Sequence, residues 1–313
     1  MSTRGDSRGN ETTVVNLSVV IAAHNASAVI ETCLSALQAQ RVPDLPEIIV
    51  ADSSTDGTDT IVRTRFPSVK LLHFDEALTV PQLRARGIAV ASGEVIAILD
   101  PYSIADHQWA EALIAEHAAR SSPIIGGTVD LYDADHQSYL SWAQYINEYG
   151  MFMPPMGAGA SEILAGSNVS YKRASLLNNA KYQHDEFWKT FVNESAEAAG
   201  SALWLTPEVR IALKKPIAFS DYFRTRFDHG RCYAGMRIAG RSRVEKWLRA
   251  ASAPLLPFVL LGRTGLRYWS KKRHREKLLT TLPWQLLLFG NWALGEMIGY
   301  LCGPGKSCRR LFY

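Results

Sequence analysis

The sequence predicts an α/β fold in which a mostly parallel sheet is flanked by helices. Within the first hundred residues, apolar runs of strand length alternate with segments whose apolar residues recur at helical spacing. The runs are apolar throughout, which is typical of parallel strands covered on both faces. Polar clusters follow these runs, and the carboxyl ends of parallel strands are where such sheets bind ligands.

The predicted elements follow one another in short steps. The strands are predicted at residues 17–23, 47–51, 69–73, 95–99 and 123–131. Helices are predicted to begin near residue 30, after the Asp56-Gly57 turn, near Pro81 and near residue 105. The glycine- and methionine-rich segment 150–166 is predicted to be a mobile, functional loop.

Composition excludes two classes of protein. The chain has 313 residues, 47% of them hydrophobic, so it buries a substantial core and is not disordered as a whole. A formal charge of +4 without a matching motif predicts no nucleic-acid partner. The four cysteines lie far apart in the sequence, which predicts reduced thiols in a cytoplasmic setting.

We divide the chain into three parts. Residues 1–13 are polar and are predicted to be a flexible tail. Residues 14–244 are predicted to form the α/β domain. Residues 245–313 combine apolar stretches with basic neighbours, which predicts amphipathic, membrane-associated helices.

Four motifs accompany the predicted strands in a fixed order. They are Val19–Asn25, Val50–Thr58, Arg84–Ile88 and Ala91–Asp100. In this order and spacing they resemble the motifs of the family 2 glycosyltransferases, which have the GT-A fold. The resemblance covers residues 17 to 103 and implies a nucleotide-activated sugar, in the first instance a UDP-sugar, as the donor.

The resemblance also implies which residues contact the nucleotide. Asp52 would accept hydrogen bonds from the uracil edge, with Ala23, His24 and Asn25 forming the loop beside the base. Arg84 would face the nucleotide side of the pocket. Each assignment has an ordinary alternative, because Asp52 could cap a turn, His24 could be a loop histidine and Arg84 could be a solvated helix residue.

The metal-binding Asp-x-Asp pattern of the family aligns with Asp100-Pro101-Tyr102. Two neighbouring carboxylates hold Mg²⁺ or Mn²⁺ against the diphosphate, so Asp100 is the candidate metal ligand. Tyr102 replaces the second carboxylate, and a neutral phenol is a poor ligand for these ions. The resemblance therefore implies a divalent cation, and Tyr102 counts against it.

Two further segments resemble the walls of the family's sugar-binding cleft. In Leu164–Arg173, Asn168 would offer its amide to a hydroxyl, although a loop-to-strand turn explains the same residues. In Arg224–Arg231, His229 and Arg231 would add positive charge beside the diphosphate. A solvated basic helix is the alternative for this second segment.

The general base is the least certain assignment. In the family an acid lies about eleven residues before a helix-ending glycine, and counting back from Gly200 reaches Lys189. A protonated lysine accepts no proton. The nearby acids Asp185, Glu186 and Glu194 are therefore the candidates, with Glu186 preferred. They are also explained as surface acids on an amphipathic helix.

The C-terminal part carries two apolar stretches. Residues 251–262 are too short to span a bilayer, and residues 278–295 reach the threshold length but contain proline, glutamine and asparagine. Basic clusters at 271–277 and 306–310 flank the second stretch, so a single span would place one on the wrong side. We predict two interfacial or re-entrant helices at the cytoplasmic face of the cell membrane, which makes the protein peripheral or monotopic. Helices packed on the soluble domain are the alternative.

The sequence thus predicts an inverting glycosyltransferase. It would move a sugar from a nucleotide-sugar donor to a membrane-proximal acceptor, such as a lipid-linked glycan or a polysaccharide. The alternative is a catalytically inactive relative that binds nucleotide or acts as a scaffold at the membrane. Tyr102 and Lys189 favour this alternative.

Overall fold

The structure is a computed structural model that describes residues 16–182, 184–215 and 218–311. The predicted tail at residues 1–13 lies outside this part of the chain. The strands are β1 (Leu17–Ala23), β2 (Glu47–Asp52), β3 (Lys70–His73), β4 (Val95–Leu99), β5 (Ser103–Ala105), β6 (Ile124–Leu131), β7 (Gly159–Ser161), β8 (Asn168–Lys172) and β9 (Leu203–Leu213).

The helices begin between the first two strands and continue to the end of the described chain. They are α1 (Ile30–Gln38), α2 (Thr58–Arg65), α3 (Val80–Val90), α4 (Trp109–Ala119), α5 (Tyr139–Glu148), α6 (Arg173–Leu177), α7 (Lys189–Ala198), α8 (Phe219–Arg237), α9 (Arg243–Ser252), α10 (Leu256–Ser270), α11 (Arg275–Thr280) and α12 (Leu282–Cys302). The segment predicted to be a loop at 150–166 contains β7, which pairs with β9.

The described strands form a nine-stranded mixed sheet in the order β3-β2-β1-β4-β8-β6-β9-β5, with β7 also beside β9. The strands β1 to β4 run parallel, because a helix separates each consecutive pair and returns the chain to the same edge. In the second half, β8 runs antiparallel to both β4 and β6. The predicted parallel arrangement therefore holds for the first four strands, and the remainder is mixed.

Helices cover both faces of this sheet. Val19 and Ile21 of β1 belong to one buried cluster, and Val20 belongs to the cluster on the opposite face, as the alternation of side chains along a strand requires. In α3, a Cβ at Gly87 would lie 2.4 Å from Cγ1 of Val20. The absent side chain lets α3 pack closely on β1, and this sets the position of Arg84 one turn earlier.

The C-terminal helices share the core of the α/β domain. Tyr268 and Leu278 are buried in the same cluster as Trp142. The helix α12 lies along α8 at close range, because a Cβ at Gly295 would lie 2.4 Å from the carbonyl oxygen of Phe227. Helices on both sides of the proposed 244/245 boundary are thus packed together. Among the described helices, none combines the length and apolarity needed to cross a membrane.

A disulfide joins Cys232 on α8 to Cys308, although their positions differ by 76 residues. The chain returns along α12 to α8, which brings the two Cα atoms to 5.0 Å. The prediction of four reduced thiols is therefore wrong for this pair. Cys33 is buried and Cys302 is exposed, and both are free thiols.

Alkylation tests the Cys232–Cys308 bond. When the purified protein is unfolded without reductant, we expect iodoacetamide to modify two thiols, those of Cys33 and Cys302, and to modify four after reduction. Intact mass spectrometry measures both numbers. Four modified thiols in the unreduced sample would contradict the disulfide, and Cys232→Ser is the control, because it should free the thiol of Cys308.

Candidate active site

A cavity of about 480 Å³ lies beyond the carboxyl end of β4. Side chains from five helices and from the end of β4 line it, and they include both acidic and basic groups. The polar members are Arg84 from α3, Asp100 and Tyr102 after β4, Glu148 from α5, Lys189 from α7, and Arg226 and His229 from α8. This is the edge of the sheet at which the sequence predicted a ligand site.

Asp100 is held by two donors from the chain itself. Its Oδ1 accepts a hydrogen bond from Nη2 of Arg84 at 2.7 Å, and its Oδ2 accepts one from the Tyr102 hydroxyl at 3.1 Å. Burial alone would raise the pKa of Asp100, but Lys189 and Arg84 lower it below its ordinary value. Asp100 is therefore an ionised, internally paired carboxylate at neutral pH.

This pairing does not fit a divalent metal site. Both oxygens of the predicted ligand Asp100 accept hydrogen bonds, and Tyr102 directs its hydroxyl at the carboxylate where a second ligand would stand. In residues 16–182, 184–215 and 218–311, no three His, Cys, Asp or Glu side chains group as metal ligands. The assignment of Asp100 as a Mg²⁺ or Mn²⁺ ligand stays a prediction, and in the structure Asp100 is paired with Arg84.

Glu148 is the second acid of the cavity, and the sequence analysis missed it. Its Oε2 accepts a hydrogen bond from Nζ of Lys215 at 3.2 Å. Burial alone would raise the pKa of Glu148, but Lys215 and Arg226 lower it below its ordinary value. Glu148 and Tyr149 also border a second cavity of about 290 Å³ beside α5. The signal available in the sequence was the position of Glu148 just before the segment predicted to be functional.

Lys189 begins α7 and lies in the cavity wall, where the family resemblance placed a general base. Its ammonium group donates a hydrogen bond to the carbonyl oxygen of Gly166. Burial and then the neighbouring Arg84 lower the pKa of Lys189 to about 7, whereas Asp100 and Glu148 act in the opposite direction. A bound anion would favour the protonated form.

The acids predicted near Lys189 do not line the cavity. Asp185 and Glu194 are exposed. Glu186 accepts a hydrogen bond from Nε1 of Trp188 at 2.8 Å and is not part of the cavity wall. The register of the helix is the reason, because Lys189 takes the inward position at the start of α7. The structure therefore favours Glu148 over Glu186 as the acid that faces the cavity.

Of the two cations predicted on α8, His229 and Arg231, only one lines the cavity. His229 lines the cavity, but burial and the adjacent Arg226 lower its pKa to about 4, so it is neutral at pH 7. Arg231 points elsewhere, and its Nε donates to the carbonyl oxygen of Gly303 at 3.2 Å. Arg226, which was not predicted, takes its place in the cavity wall. One helical turn separates Arg226 from its neutral neighbour His229.

Asn168 has a structural role instead of the predicted sugar contact. Its Oδ1 accepts a hydrogen bond from Nε1 of Trp109 at 3.0 Å. Its Nδ2 donates to the carbonyl oxygens of Thr128 and Val209, each at 2.9 Å. The side chain is buried between β6, β8 and β9, so its amide joins strands and has no group left for a ligand.

The predicted base-binding residues lie together at the ends of β1 and β2. Ala23 pairs in register with Asp52, and Nδ1 of His24 lies 3.0 Å from the carbonyl oxygen of Ser53. Oδ1 of Asn25 accepts a hydrogen bond from the backbone N–H of Thr55 at 3.0 Å. These bonds brace the two loops against each other, which gives the group one defined shape.

The Asp52 carboxylate is itself buried and bonded. Its Oδ2 lies 2.6 Å from Nδ1 of His73, at the end of β3, and its Oδ1 accepts a hydrogen bond from the Ser54 hydroxyl. A uracil edge would therefore have to displace or share these partners. The base-reading role of Asp52 stays a prediction, with His73 as an additional residue that the sequence did not indicate.

Comparison with known sequences identifies the family. The sequence profile of glycosyl transferase family 2 matches residues 18–179, slightly more than half of the chain. The chain belongs to this family. The matched segment contains Arg84, Asp100 and Glu148 of the cavity and ends before Lys189 and Arg226.

Curated relatives match shorter segments. Polypeptide N-acetylgalactosaminyltransferase 16 of Mus musculus is 28% identical over 127 residues, which is 40% of this chain and 23% of that protein. The uncharacterized glycosyltransferase YibD of Escherichia coli (strain K12) is 38% identical over 87 residues, which is 27% of this chain and 25% of that protein. The chain thus matches about a quarter of the length of these relatives.

Solved structures extend the likeness in fold to most of the chain. The mannosyltransferase PcManGT from Pyrobaculum calidifontis, in complex with GDP-Man and Mn²⁺, superimposes with a TM-score of 0.60 at 18% identity, covering 93% of this chain and 88% of that one. GalNAc-T7 with UDP, GalNAc and Mn²⁺ gives a TM-score of 0.51 at 14% identity, covering 69% and 51%. The described chain therefore has the GT-A fold that the sequence predicted.

Replacing Asn168 separates its structural role from a binding role. Because Asn168→Ala removes three buried hydrogen bonds, we expect it to lower the free energy of unfolding by about 3 kcal/mol. Urea denaturation measures this loss. The matched control Asn178→Ala, at an exposed position, should change stability little. A stable Asn168→Ala protein that binds nucleotide-sugar poorly would restore the predicted ligand contact.

Proposed function

We propose that the protein is an inverting glycosyltransferase that moves a sugar from a UDP-sugar to an acceptor at a membrane surface. The observation that carries the proposal is the cavity beyond β4, in which a chain of glycosyl transferase family 2 places two ionised acids among basic side chains. Acids and bases together suit the transfer of a sugar away from a diphosphate, because one group accepts a proton and the others stabilise the departing charge.

Glu148 is the acid best placed to accept the proton. Both oxygens of Asp100 accept hydrogen bonds, from Arg84 and Tyr102, whereas Glu148 is paired through Oε2 with Lys215 and borders both cavities. In the proposed step, the acceptor oxygen forms a bond to the anomeric carbon as the bond to the diphosphate breaks. The electron pair leaves with the diphosphate, and the acceptor proton passes to Glu148. Attack from the opposite face inverts the anomeric centre.

The choice of a UDP-sugar rests on the motif around Asp52 and on the loops that surround it. Two braced loops at the ends of β1 and β2 present His24, Asn25 and Asp52 together, where the family resemblance places the base. GalNAc-T7, a structural neighbour, was solved with UDP, while PcManGT was solved with GDP-Man. A panel of both nucleotides therefore tests the choice.

An inactive, nucleotide-binding relative is the second candidate. Asp100 is saturated by chain partners, and Lys189 occupies the position expected for the base, which are the two features that favour it. Such a protein would bind nucleotide without turning over the sugar. Turnover decides between the two candidates.

Turnover of sugar nucleotides tests the proposal and the role of Glu148. With a panel of UDP- and GDP-sugars and detergent-extracted acceptors, we expect UDP release, and Glu148→Gln should lower kcat by about 10²- to 10⁴-fold because the amide accepts no proton. Glu186→Gln, at the acid that the sequence favoured, should leave kcat nearly unchanged. Nuclear magnetic resonance of the product measures the anomeric configuration.

Three outcomes would change the assignment. Nucleotide binding without turnover would identify the inactive relative. Full activity in Glu148→Gln would exclude this residue as the base. Retention of configuration would exclude the single displacement.

The membrane acceptor is proposed from the surface of the C-terminal helices. Large apolar side chains are exposed along α9 and α10, at positions that share a helix face: Val244, Trp247 and Leu248, then Leu255, Phe258 and Val259. Further exposed apolar side chains lie on α12, at Leu286, Leu287 and Leu294. In the described chain, most exposed large apolar side chains fall between residues 244 and 301. We call this set the apolar C-terminal surface.

Charge favours a lipid bilayer as the occupant of the apolar C-terminal surface. Basic residues accompany the exposed apolar ones, and among them Arg243 and Lys272 are exposed and Lys246 is half-buried. Basic side chains beside an apolar helix face suit anionic headgroups above acyl chains. We propose that the protein is peripheral or monotopic at the cytoplasmic face of a membrane, where anionic lipids attract basic side chains. The sequence analysis took four reduced cysteines as support for a cytoplasmic setting. The Cys232–Cys308 disulfide withdraws this support, because disulfides persist where conditions are oxidising.

Vesicle flotation tests the membrane contact. We expect the protein to float with vesicles of phosphatidylglycerol and phosphatidylcholine more than with phosphatidylcholine alone. The double variant Trp247→Ser, Phe258→Ser should bind them at least about tenfold more weakly, because it removes two exposed apolar side chains that would be buried in the bilayer. Leu45→Ser is the matched control, since Leu45 is 53% exposed but lies outside the apolar C-terminal surface.

Other occupants of this surface would give different results. A dimer in solution that Trp247→Ser, Phe258→Ser dissociates, without vesicle binding by the wild type, would identify a second copy as the occupant. Equal flotation of the wild type and the double variant would place the lipid contact elsewhere.

A further inference from the structure

Two basic side chains of the cavity have no carboxylate partner. Lys189 donates to a backbone carbonyl, and Arg226 lies with its guanidinium carbon 4.2 Å from the centre of the Trp292 ring. Within the described residues, neither forms an ion pair, whereas Arg84 is paired with Asp100 and Lys215 with Glu148. Burying a cation that forms no direct ion pair costs free energy, and a bound anion would lower this cost. This wall of the cavity is therefore suited to an anion.

The Lys189 ammonium group lies against the backbone of Gly166. A Cβ at Gly166 would lie 2.8 Å from Nζ of Lys189, so the ammonium occupies space that a larger residue would close. Its charge also acts on Asp100, whose pKa it lowers. Lys189 therefore lines the same cavity as the carboxylate that the family resemblance assigns to the metal.

Arg226 is held by a different pair of helices. It lies on α8 against α12, and the close packing of these two helices fixes the Trp292 ring beneath it. Together with Arg84 and Lys189 it gives the cavity wall three basic side chains against the two acids Asp100 and Glu148. The neutral His229 adds a hydrogen-bonding group without adding charge at pH 7.

We propose that Lys189 and Arg226, supported by Arg84, replace the divalent cation and bind the diphosphate of the donor directly. Nucleotide binding by this protein is then independent of metal. The inference rests on the proposed donor, and it adds the residues that hold the diphosphate. Arginine binds two phosphate oxygens through two N–H donors, and lysine acts as a point charge. Together the two side chains would bind the diphosphate oxygens and neutralise part of their negative charge.

The arrangement also explains the two substitutions that favoured an inactive relative. Tyr102 satisfies the oxygen of Asp100 that a metal would otherwise take. Lys189 supplies the positive charge at the same place. Tyr102 in place of a carboxylate removes a negative charge and a metal ligand, and Lys189 in place of an acid adds a positive charge. The two changes together would substitute for the positive charge of a metal ion.

Calorimetry with UDP, uridine and inorganic pyrophosphate tests this proposal without requiring turnover. In EDTA we expect UDP to bind, and Mn²⁺ to change its Kd little. Lys189→Met and Arg226→Met should each weaken UDP binding by about 10- to 100-fold, because each removes a charged hydrogen bond to phosphate. Uridine lacks the diphosphate, so its weaker binding should be insensitive to both changes.

The pyrophosphate arm separates the donor from a lipid-linked diphosphate. If the site recognises a nucleotide diphosphate, pyrophosphate alone should bind more weakly than UDP, since it lacks the base contact. Pyrophosphate that binds as tightly as UDP would show that the cations serve another diphosphate and would overturn the assignment to the donor. Lys181→Met is the matched control, because Lys181 is exposed and outside the cavity.

Failure of this proposal differs from failure of the proposed function. UDP binding that appears only with Mn²⁺, or that survives Lys189→Met and Arg226→Met unchanged, overturns the metal-free site and leaves the donor assignment standing. No UDP binding with or without Mn²⁺ overturns both. If Lys189→Met is misfolded by circular dichroism, Lys189→Arg replaces it, and retained binding in EDTA is then the expected result.

Discussion

The ion pair between Arg84 and Asp100 determines the chemistry of the site. It depends on the close packing of α3 on β1 at Gly87, which brings Arg84 to the end of β4. Arg84 and Tyr102 donate hydrogen bonds to both oxygens of Asp100, so a metal ion or a substrate proton would compete with these two donors for the carboxylate. The remaining groups then take distinct parts. Glu148 is an ionised acid that borders both cavities, and Lys189 and Arg226 line the wall without a salt bridge to a carboxylate among the described residues.

The parts of the fold that the sequence predicted are those governed by local patterns. The strands β1, β2 and β4 are apolar throughout, so length and composition identify them. A helix was predicted to begin after the turn at Asp56-Gly57, and α2 begins there, where Oδ1 of Asp56 accepts a hydrogen bond from the backbone N–H of Thr58 at 3.1 Å. The motif order singled out Arg84 and Asp100, and both line the cavity beyond β4, at the edge of the sheet where parallel strands end.

The residues that the sequence analysis missed or misplaced depend on contacts between distant segments. Glu148 and Lys189 line one cavity because α5 and α7 both border it. The spacing of residues within α7 does not indicate that α5 lies nearby. Asn168 was assigned to a ligand because its amide and its glycine-rich surroundings suit one, but β6 and β9 supply the acceptors first. The Cys232–Cys308 bond depends on the return of α12 along α8, which sequence separation conceals.

The helix α12 borders both the cavity and the apolar C-terminal surface. Trp292 on α12 and Leu311 line the cavity, and the backbone N–H of Val80, at the start of α3, donates to the carbonyl oxygen of Leu311 at 3.0 Å. The opposite face of α12 exposes Leu287 and Leu294. One helix thus touches the proposed lipid and the proposed substrate. Under the two proposals, a shift of α12 that one ligand favours would change the affinity for the other, so membrane attachment and donor binding would be thermodynamically coupled.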